Sequence, residues 1–316
     1  MRTLLLSTVL CALSLSAARA ENPAEEQKHI AAATAAAGED FKNTNLWLCK
    51  PTKDQLTHLA TLRKEMPAKK VFDNFFYFGT GSQNVWALKT NDGIILWDVH
   101  ANADEAQRLI VDAFKTVGLD PNDIKYIIIS HGHGDHYGGA QYFQEHYPKA
   151  KLIMSRADYY LADTAPARPN WGGPPKHDMV AEDGQKITVG DTTVQLFITP
   201  GHTPGTLSSL IPVKDHGVTR LMALWGGTTA PAQRDGILTQ EESLKRFTKV
   251  AEDQKIEGWI SNHGLWDDAV VKISKMDKAP NGPSPFLQDA ATRKRYFDVQ
   301  NHCLEAALYR LPGATQ

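Results

Sequence analysis

Apolar residues recur along the chain in two kinds of run, and their spacing separates them. Dense runs rich in β-branched and aromatic residues predict strands. "VFDNFFYFG" at 71–79 opens the series, followed by "NVWALKT" and "GIILWDV". Asn91-Asp92-Gly93 lies between the last two and is a hairpin turn signal. "IKYIIIS" at 124–130 is almost unbroken, which predicts a central strand buried on both faces. "KLIMS" at 151–155 is a shorter strand. A second series follows: "QKITVGD", "TTVQLFITP", "TLSSLIPV", "TRLMALWGG" and "IEGWISNH".

The other runs have helical spacing. In "ADEAQRLIVDAFKTVGL" the apolar face is Leu109, Ile110, Phe114 and Val117, and Gly118 stands where a helix would stop. "GGAQYFQEHY", "QEESLKRFTKVAEDQ" and the closing "ATRKRYFDVQNHCLEAALYRL" are further helices. Two strand-rich halves with outer helices predict an α/β fold of two packed sheets flanked by helices. Residues 21–70 read as an N-terminal extension packed on a single main domain, 71–316. Within the extension "HIAAATAAAGED" is alanine-rich, and Leu56, Leu59 and Leu62 have helical spacing.

The first twenty residues differ from the rest. "MRTLLLSTVLCALSLSAARA" has an early Arg, an apolar run too short for a membrane span, and Ala18-Arg19-Ala20 at its end. This predicts a secretory signal cleaved near Ala20, and a periplasmic or secreted protein. Cys49 and Cys303 are then the two cysteines left. In an oxidising compartment they either pair or remain buried thiols. The chain has 316 residues, 42% of them hydrophobic, which is enough for a sizeable core. Its formal charge of −2, with no basic run, argues against nucleic acid or an acidic membrane surface as partner. A small-molecule substrate remains, and oligomeric state is left open.

The chemistry concentrates in "HGHGDH". His131, His133, Asp135 and His136 follow directly on the central strand. Alternation along a strand would turn His131 and His133 to the same side, toward one ion. Asp135 and His136, past the turn, would face a second. Imidazole and carboxylate without thiolate suit zinc, with iron and manganese as alternatives. Packed together without a metal, these groups would be costly to bury. His202 in "TPGHTPGT" and His263 in "ISNHGLWDD" end later strands. Six ligands make two sites of three, and three protein ligands leave the open position of a catalytic site. The remaining histidines read as ordinary, with His100 at a strand end the one placed to act behind the ligands.

These motifs resemble the metallo-β-lactamase superfamily from about Val71 to Asp268. The resemblance implies an αββα sandwich with a binuclear site at the sheet edge. It implies two Zn2+ per chain, the first held by His131, His133 and His202, the second by Asp135, His136 and His263. Most hydrolases of the superfamily place a metal-bridging Asp after a strand where this chain reads "LWGGTTAP". Here Gly226 or Gly227 occupies that place, and no Cys stands there either. The ligand set resembles the third lactamase subclass, whose members often carry Ser where this chain has Gly227.

The resemblance therefore implies a secreted binuclear zinc hydrolase that cleaves a cyclic amide through hydroxide generated at the metals. The alternative is a zinc hydrolase of another ester, lactone or thioester. A non-catalytic zinc-binding protein is a third reading. Asp135 is the expected group for orienting the water and relaying its proton. Thr228, Thr229 and Trp171 are the expected substrate contacts, and Asn262 an expected ligand-orienting group. Tyr137, Trp225 and Trp266 are further aromatics near the motifs, and "ARPNWGGPPKHD" at 167–178 reads as a lid loop.

Overall fold

The apolar run at 124–130 folds into the middle of a sheet, flanked on both sides by parallel strands. The structure, a computed structural model, describes residues 22–49, 64–280 and 282–311. The predicted signal at 1–20 and the helical spacing of Leu56, Leu59 and Leu62 lie outside the described residues.

The first sheet has seven strands in sequence order. They are β1 (Glu65–Phe72), β2 (Phe75–Thr80), β3 (Asn84–Lys89), β4 (Ile94–Trp97), β5 (Ile124–Ile128), β6 (Lys151–Ser155) and β7 (Met179–Ala181). The second has five: β8 (Lys186–Val189), β9 (Thr192–Ile198), β10 (Leu207–Asp215), β11 (Val218–Trp225) and β12 (Gly258–Ser261), in the order β12-β11-β10-β9-β8. Helices α1 (Pro23–Ala37) and α2 (Lys42–Cys49) precede the sheets. Helix α3 starts at Ala103–Glu105, widens to a π-helix over Ala106–Val111 and ends with Asp112–Thr116. Then come α4 (Gly134–Tyr137), α5 (Ala140–His146), α6 (Arg156–Thr164), α7 (Arg234–Asp253), α8 (Ala269–Lys278) and α9 (Ala290–Arg310).

Period-two alternation decides the layers. Ile95 and Trp97 of β4 join the core between the sheets, with Trp86, Leu196, Ile211 and Met222. Ile94 and Leu96 of the same strand point the other way, into a core with Ile110 and Phe114 of α3. Burying each such side chain contributes about 1.5–3 kcal/mol. The indoles between the sheets keep their N–H groups bonded. Trp97 Nε1 donates to Ser209 Oγ at 3.1 Å, and Trp86 Nε1 to the Ser261 carbonyl at 2.8 Å. A third core holds the second sheet against α1, α7 and α9. The result is helices, sheet, sheet, helices: the αββα arrangement.

Several expectations change in detail. "VFDNFFYFG" is two strands, not one, because the chain turns at Asp73-Asn74. The Asn74 carbonyl accepts the Lys89 N–H, and its side-chain oxygen accepts the Lys214 N–H. Strand β1 starts at Glu65, ahead of the predicted domain boundary, because it pairs antiparallel with β2. Helices α6 and α8 were not legible in the sequence, and α7 begins at Arg234, earlier than its apolar pattern. Helices α1 and α2 lie on α9, and Cys49 and Cys303 form a disulfide that joins α2 to α9.

Candidate metal centre

Strand β5 stops at Ile128, and the chain then turns through Ser130–His133 into the short helix α4. His131 and His133 therefore converge from a turn rather than from alternate positions of a strand. His133 stands at the N-cap of α4, and Asp135 and His136 lie in its single turn. The glycines make this turn possible by close approach. A Cβ on Gly138 would lie 1.8 Å from the Ala101 carbonyl oxygen, so no side chain fits there.

Two triads of donor atoms result. His131, His133 and His202 form one, and Asp135, His136 and His263 the other, with the donor atoms of each triad within 4.8 Å of one another. His131 Nε2 lies 3.2 Å from His202 Nε2. His136 Nε2 lies 3.1 Å from His263 Nε2 and 3.5 Å from Asp135 Oδ2.

The rings are held from behind. His131 Nδ1 donates to the Gly226 carbonyl, His202 Nδ1 to the Thr229 carbonyl and His263 Nδ1 to the Ser82 carbonyl, each at 2.8 Å. His136 Nδ1 donates to Asp98 Oδ2, also at 2.8 Å. With the proton fixed on Nδ1, the Nε2 lone pair of each ring faces the centre, which is the tautomer a metal ligand needs. Five imidazoles and one carboxylate, without thiolate, fit zinc.

Electrostatics agree with this tautomer. Burial, followed by the neighbouring imidazoles, holds the His131 pKa well below its ordinary value. Burial brings His202 and His263 down to about 3. His133 is lowered too, chiefly by burial, with the Arg168 charge adding to it. These rings are therefore neutral at physiological pH. Burial opposes the charge on Asp135, but His136, His263 and His133 outweigh it and keep the carboxyl below the usual range. Gln83 Nε2 donates to Asp135 Oδ2 at 2.8 Å.

Two buried carboxylates do work that the sequence reading missed. Asp98, just past β4, accepts the Ser130 N–H on Oδ1 and both the Ser130 hydroxyl and His136 on Oδ2. Its φ of 63° is in the left-handed region, a strain on the order of 1–3 kcal/mol for a non-glycine residue. Asp158 in α6 ties two ligand loops together. Its carboxylate accepts the N–H of Gly132, the N–H of Gly205 and the hydroxyl of Thr203. Burial pushes its pKa up to about 6 in spite of these three donors. An Asp closing an apolar strand was the available signal for Asp98. Nothing in the spacing marked Asp158.

The Gly226-Gly227 segment has a definite role. The Gly226 carbonyl receives both His131 Nδ1 and Asn262 Nδ2, the latter at 2.7 Å. Asn262 thus lies behind His131, one of the candidate ligands. A Cβ on Gly227 would fall 2.6 Å from His202 Cβ and 2.9 Å from its Cγ. Glycine is what lets His202 sit where it does.

The expected substrate contacts divide. The Thr228 side chain is buried, and its carbonyl accepts Gln240 Nε2. Thr229 is exposed and serves the centre through its carbonyl. Trp171 is the one that covers the motif. A Cβ on Gly134 would lie 2.3 Å from its ring, so the indole rests directly on α4. The 167–178 loop that carries it is pinned by Gly172 N–H to Ala101 O at 2.7 Å and by Gln141 Nε2 to Pro174 O at 2.8 Å. Trp225 packs in the core beside Phe247 and is not a wall of the site. Trp266 stands edge-on to His263, with ring centres 4.2 Å apart. His100 is buried near Gly79, also with positive φ. Other histidines find partners elsewhere, as His29 does with His302 and His177 with Asp163.

Comparison with known proteins adds to this geometry. Residues 78–217 match the family model described as "Metallo-beta-lactamase superfamily". Among curated proteins, the uncharacterized protein YobT of Bacillus subtilis is 30% identical over 149 residues, 42% of this chain and 64% of that protein. The N-acyl homoserine lactonase AttM of Agrobacterium fabrum is 36% identical over 115 residues, 32% of this chain and 41% of that protein. This chain therefore spans less than two thirds of these relatives. Among solved structures, BJP-1, a subclass B3 metallo-β-lactamase of Bradyrhizobium japonicum, has a TM-score of 0.65 at 24% identity, covering 76% of this chain and 92% of that one. Native FEZ-1 from Legionella gormanii has a TM-score of 0.64 at 23% identity, covering 74% and 92%. At these identities the structural likeness shows the fold.

Proposed function

We propose, on the match of residues 78–217 to the metallo-β-lactamase superfamily model, that this chain is a secreted binuclear zinc hydrolase of a cyclic amide. The observation that carries this reading is the pair of triads, with four Nδ1 atoms tied back and the Nε2 atoms converging. Two sites of three protein ligands leave room for water and substrate. Bound there, zinc supplies Lewis acidity and a water acidic enough to ionise near neutral pH.

The residues of the chain do the rest. Carbonyls of Ser82, Gly226 and Thr229 fix ring orientation, and Asp98 fixes His136. Asp135 is held by Gln83 beside the second triad, positioned to orient the attacking water and take its proton. Trp171 covers α4 and keeps bulk water from that side. We expect Asp135→Asn to lose much more turnover than zinc, measured by parallel kinetics and metal analysis. Zinc lost in proportion to rate would reduce Asp135 to a ligand.

The reading of a cyclic amide rests on the ligand set and on glycine where many relatives carry a bridging carboxylate. The second reading, a lactone, is favoured by the likeness to proteins named N-acyl homoserine lactonases. Turnover of a penicillin, a cephalosporin and a carbapenem, beside an N-acyl homoserine lactone and a thioester, separates the two. We expect lactam hydrolysis that a chelator abolishes. Hydrolysis of the lactone alone would overturn the amide reading while keeping the centre.

A further inference from the structure

We infer that Arg168 is a specificity-determining residue that binds a carboxylate of the substrate at the rim of the metal centre. The inference rests on the hydrolase reading above and names the class of molecule that site selects. The observations concern the 167–178 loop. Arg168 is exposed, and its guanidinium carbon lies 4.2 Å from the centre of the Trp171 ring. That ring rests in turn on Gly134, between the ligands His133 and Asp135. Arg168 and Trp171 are also joined through the main chain, Trp171 N–H to the Arg168 carbonyl at 3.1 Å. Asn102 Nδ2 holds the neighbouring Asn170 carbonyl at 3.1 Å. The cation is therefore stacked and anchored rather than trailing in solvent.

Arg168 forms no ion pair among the described residues. The nearby acid Asp163 is engaged by His177 at 3.0 Å. An unspent guanidinium beside a hydrolytic centre presents a planar fork of donors that matches a carboxylate. Stacking on the indole pre-orders the fork, so less freedom is lost when an anion binds. A neutral lactone offers this group carbonyl oxygens but no opposite charge to pair with the fork. A cyclic amide with a ring carboxylate does.

The test compares a penicillin with its methyl ester, two compounds with the same scissile ring. In zinc-loaded wild-type protein the free acid should have the higher kcat/KM. In Arg168→Ala the acid-to-ester ratio should fall about tenfold, the size of one lost charge-assisted contact at an exposed site. Arg168→Lys, which keeps the charge and loses the fork, should fall between. Zinc content and unfolding temperature of each variant establish that the fold is kept. A ratio unchanged in Arg168→Ala overturns the inference. If neither compound is turned over, the cyclic-amide reading fails, and calorimetric titration of the same two compounds still decides about Arg168. Tighter binding of the acid, with the gap closed in Arg168→Ala, supports it. Equal binding of acid and ester by wild-type protein overturns it.

Discussion

At the candidate metal centre, four imidazoles are each fixed through Nδ1 by acceptors from three parts of the fold: Ser82, Asp98, and the segment after β11 that carries Gly226 and Thr229. Over the centre, the 167–178 loop is exposed for most of its length and is pinned at a few points such as Gly172 and Pro174. The centre draws on both sheets, because β4, β5, β11 and β12 all end beside it. The loop belongs to one connection, between α6 and β7. A ligand atom must be placed to a fraction of an ångström, so its supports are buried and numerous. Groups that select a substrate must stay accessible, so they sit on a surface loop. The chemistry and the choice of substrate are therefore open to separate change.

The comparison can be broken by substitution. The largest effect is expected for His202→Ala, which removes a donor of the first triad. Turnover should fall at least about a thousandfold, roughly 4 kcal/mol of barrier, with loss of zinc from that site. Wild-type turnover in that variant would sink the assignment of the centre. Asp98→Ala comes next. It touches neither substrate nor the Nε2 donors, yet it frees His136 and Ser130. Zinc affinity should fall about 10–100-fold, the usual effect of losing such a support. Metal titration against a chelating dye measures it.

Gly227→Ser sharpens the comparison from the other side. The new Cβ would press on His202, and we expect zinc affinity to drop about tenfold, as for a lost support, without gain in lactam turnover. Faster lactam hydrolysis would mean the loop gives way and the hydroxyl serves substrate. The smallest effect on the metals is expected for Trp171→Ala. Zinc content should hold while KM rises several-fold, about 1 kcal/mol of lost contact. A fall in zinc content would show that the covering loop is part of the centre after all.

How much of this the sequence showed follows the same division. His131, His133, Asp135 and His136 were legible because no core needs that concentration of imidazole and carboxylate after an apolar strand, and His202 and His263 because each ends a later strand. The strands were legible from period and turn chemistry, as at Asn91-Asp92-Gly93. The supports were largely hidden, since Ser82, Gly226 and Thr229 act through main-chain carbonyls that any residue carries. Asp158 was hidden because α6 is short and its partners lie on two distant loops. The strand "VFDNFFYFG" misled because its apolar pattern runs on through the Asp73-Asn74 turn. Arg168 was passed over for the more conspicuous Trp171, because no spacing rule shows that its guanidinium stacks on that ring.

The central claim is that two triads hold two ions, and elemental analysis of protein dialysed against trace zinc tests it most directly. The account predicts two zinc ions per wild-type chain and one in His263→Ala. A single zinc ion in wild-type protein, or iron in place of zinc, would contradict it.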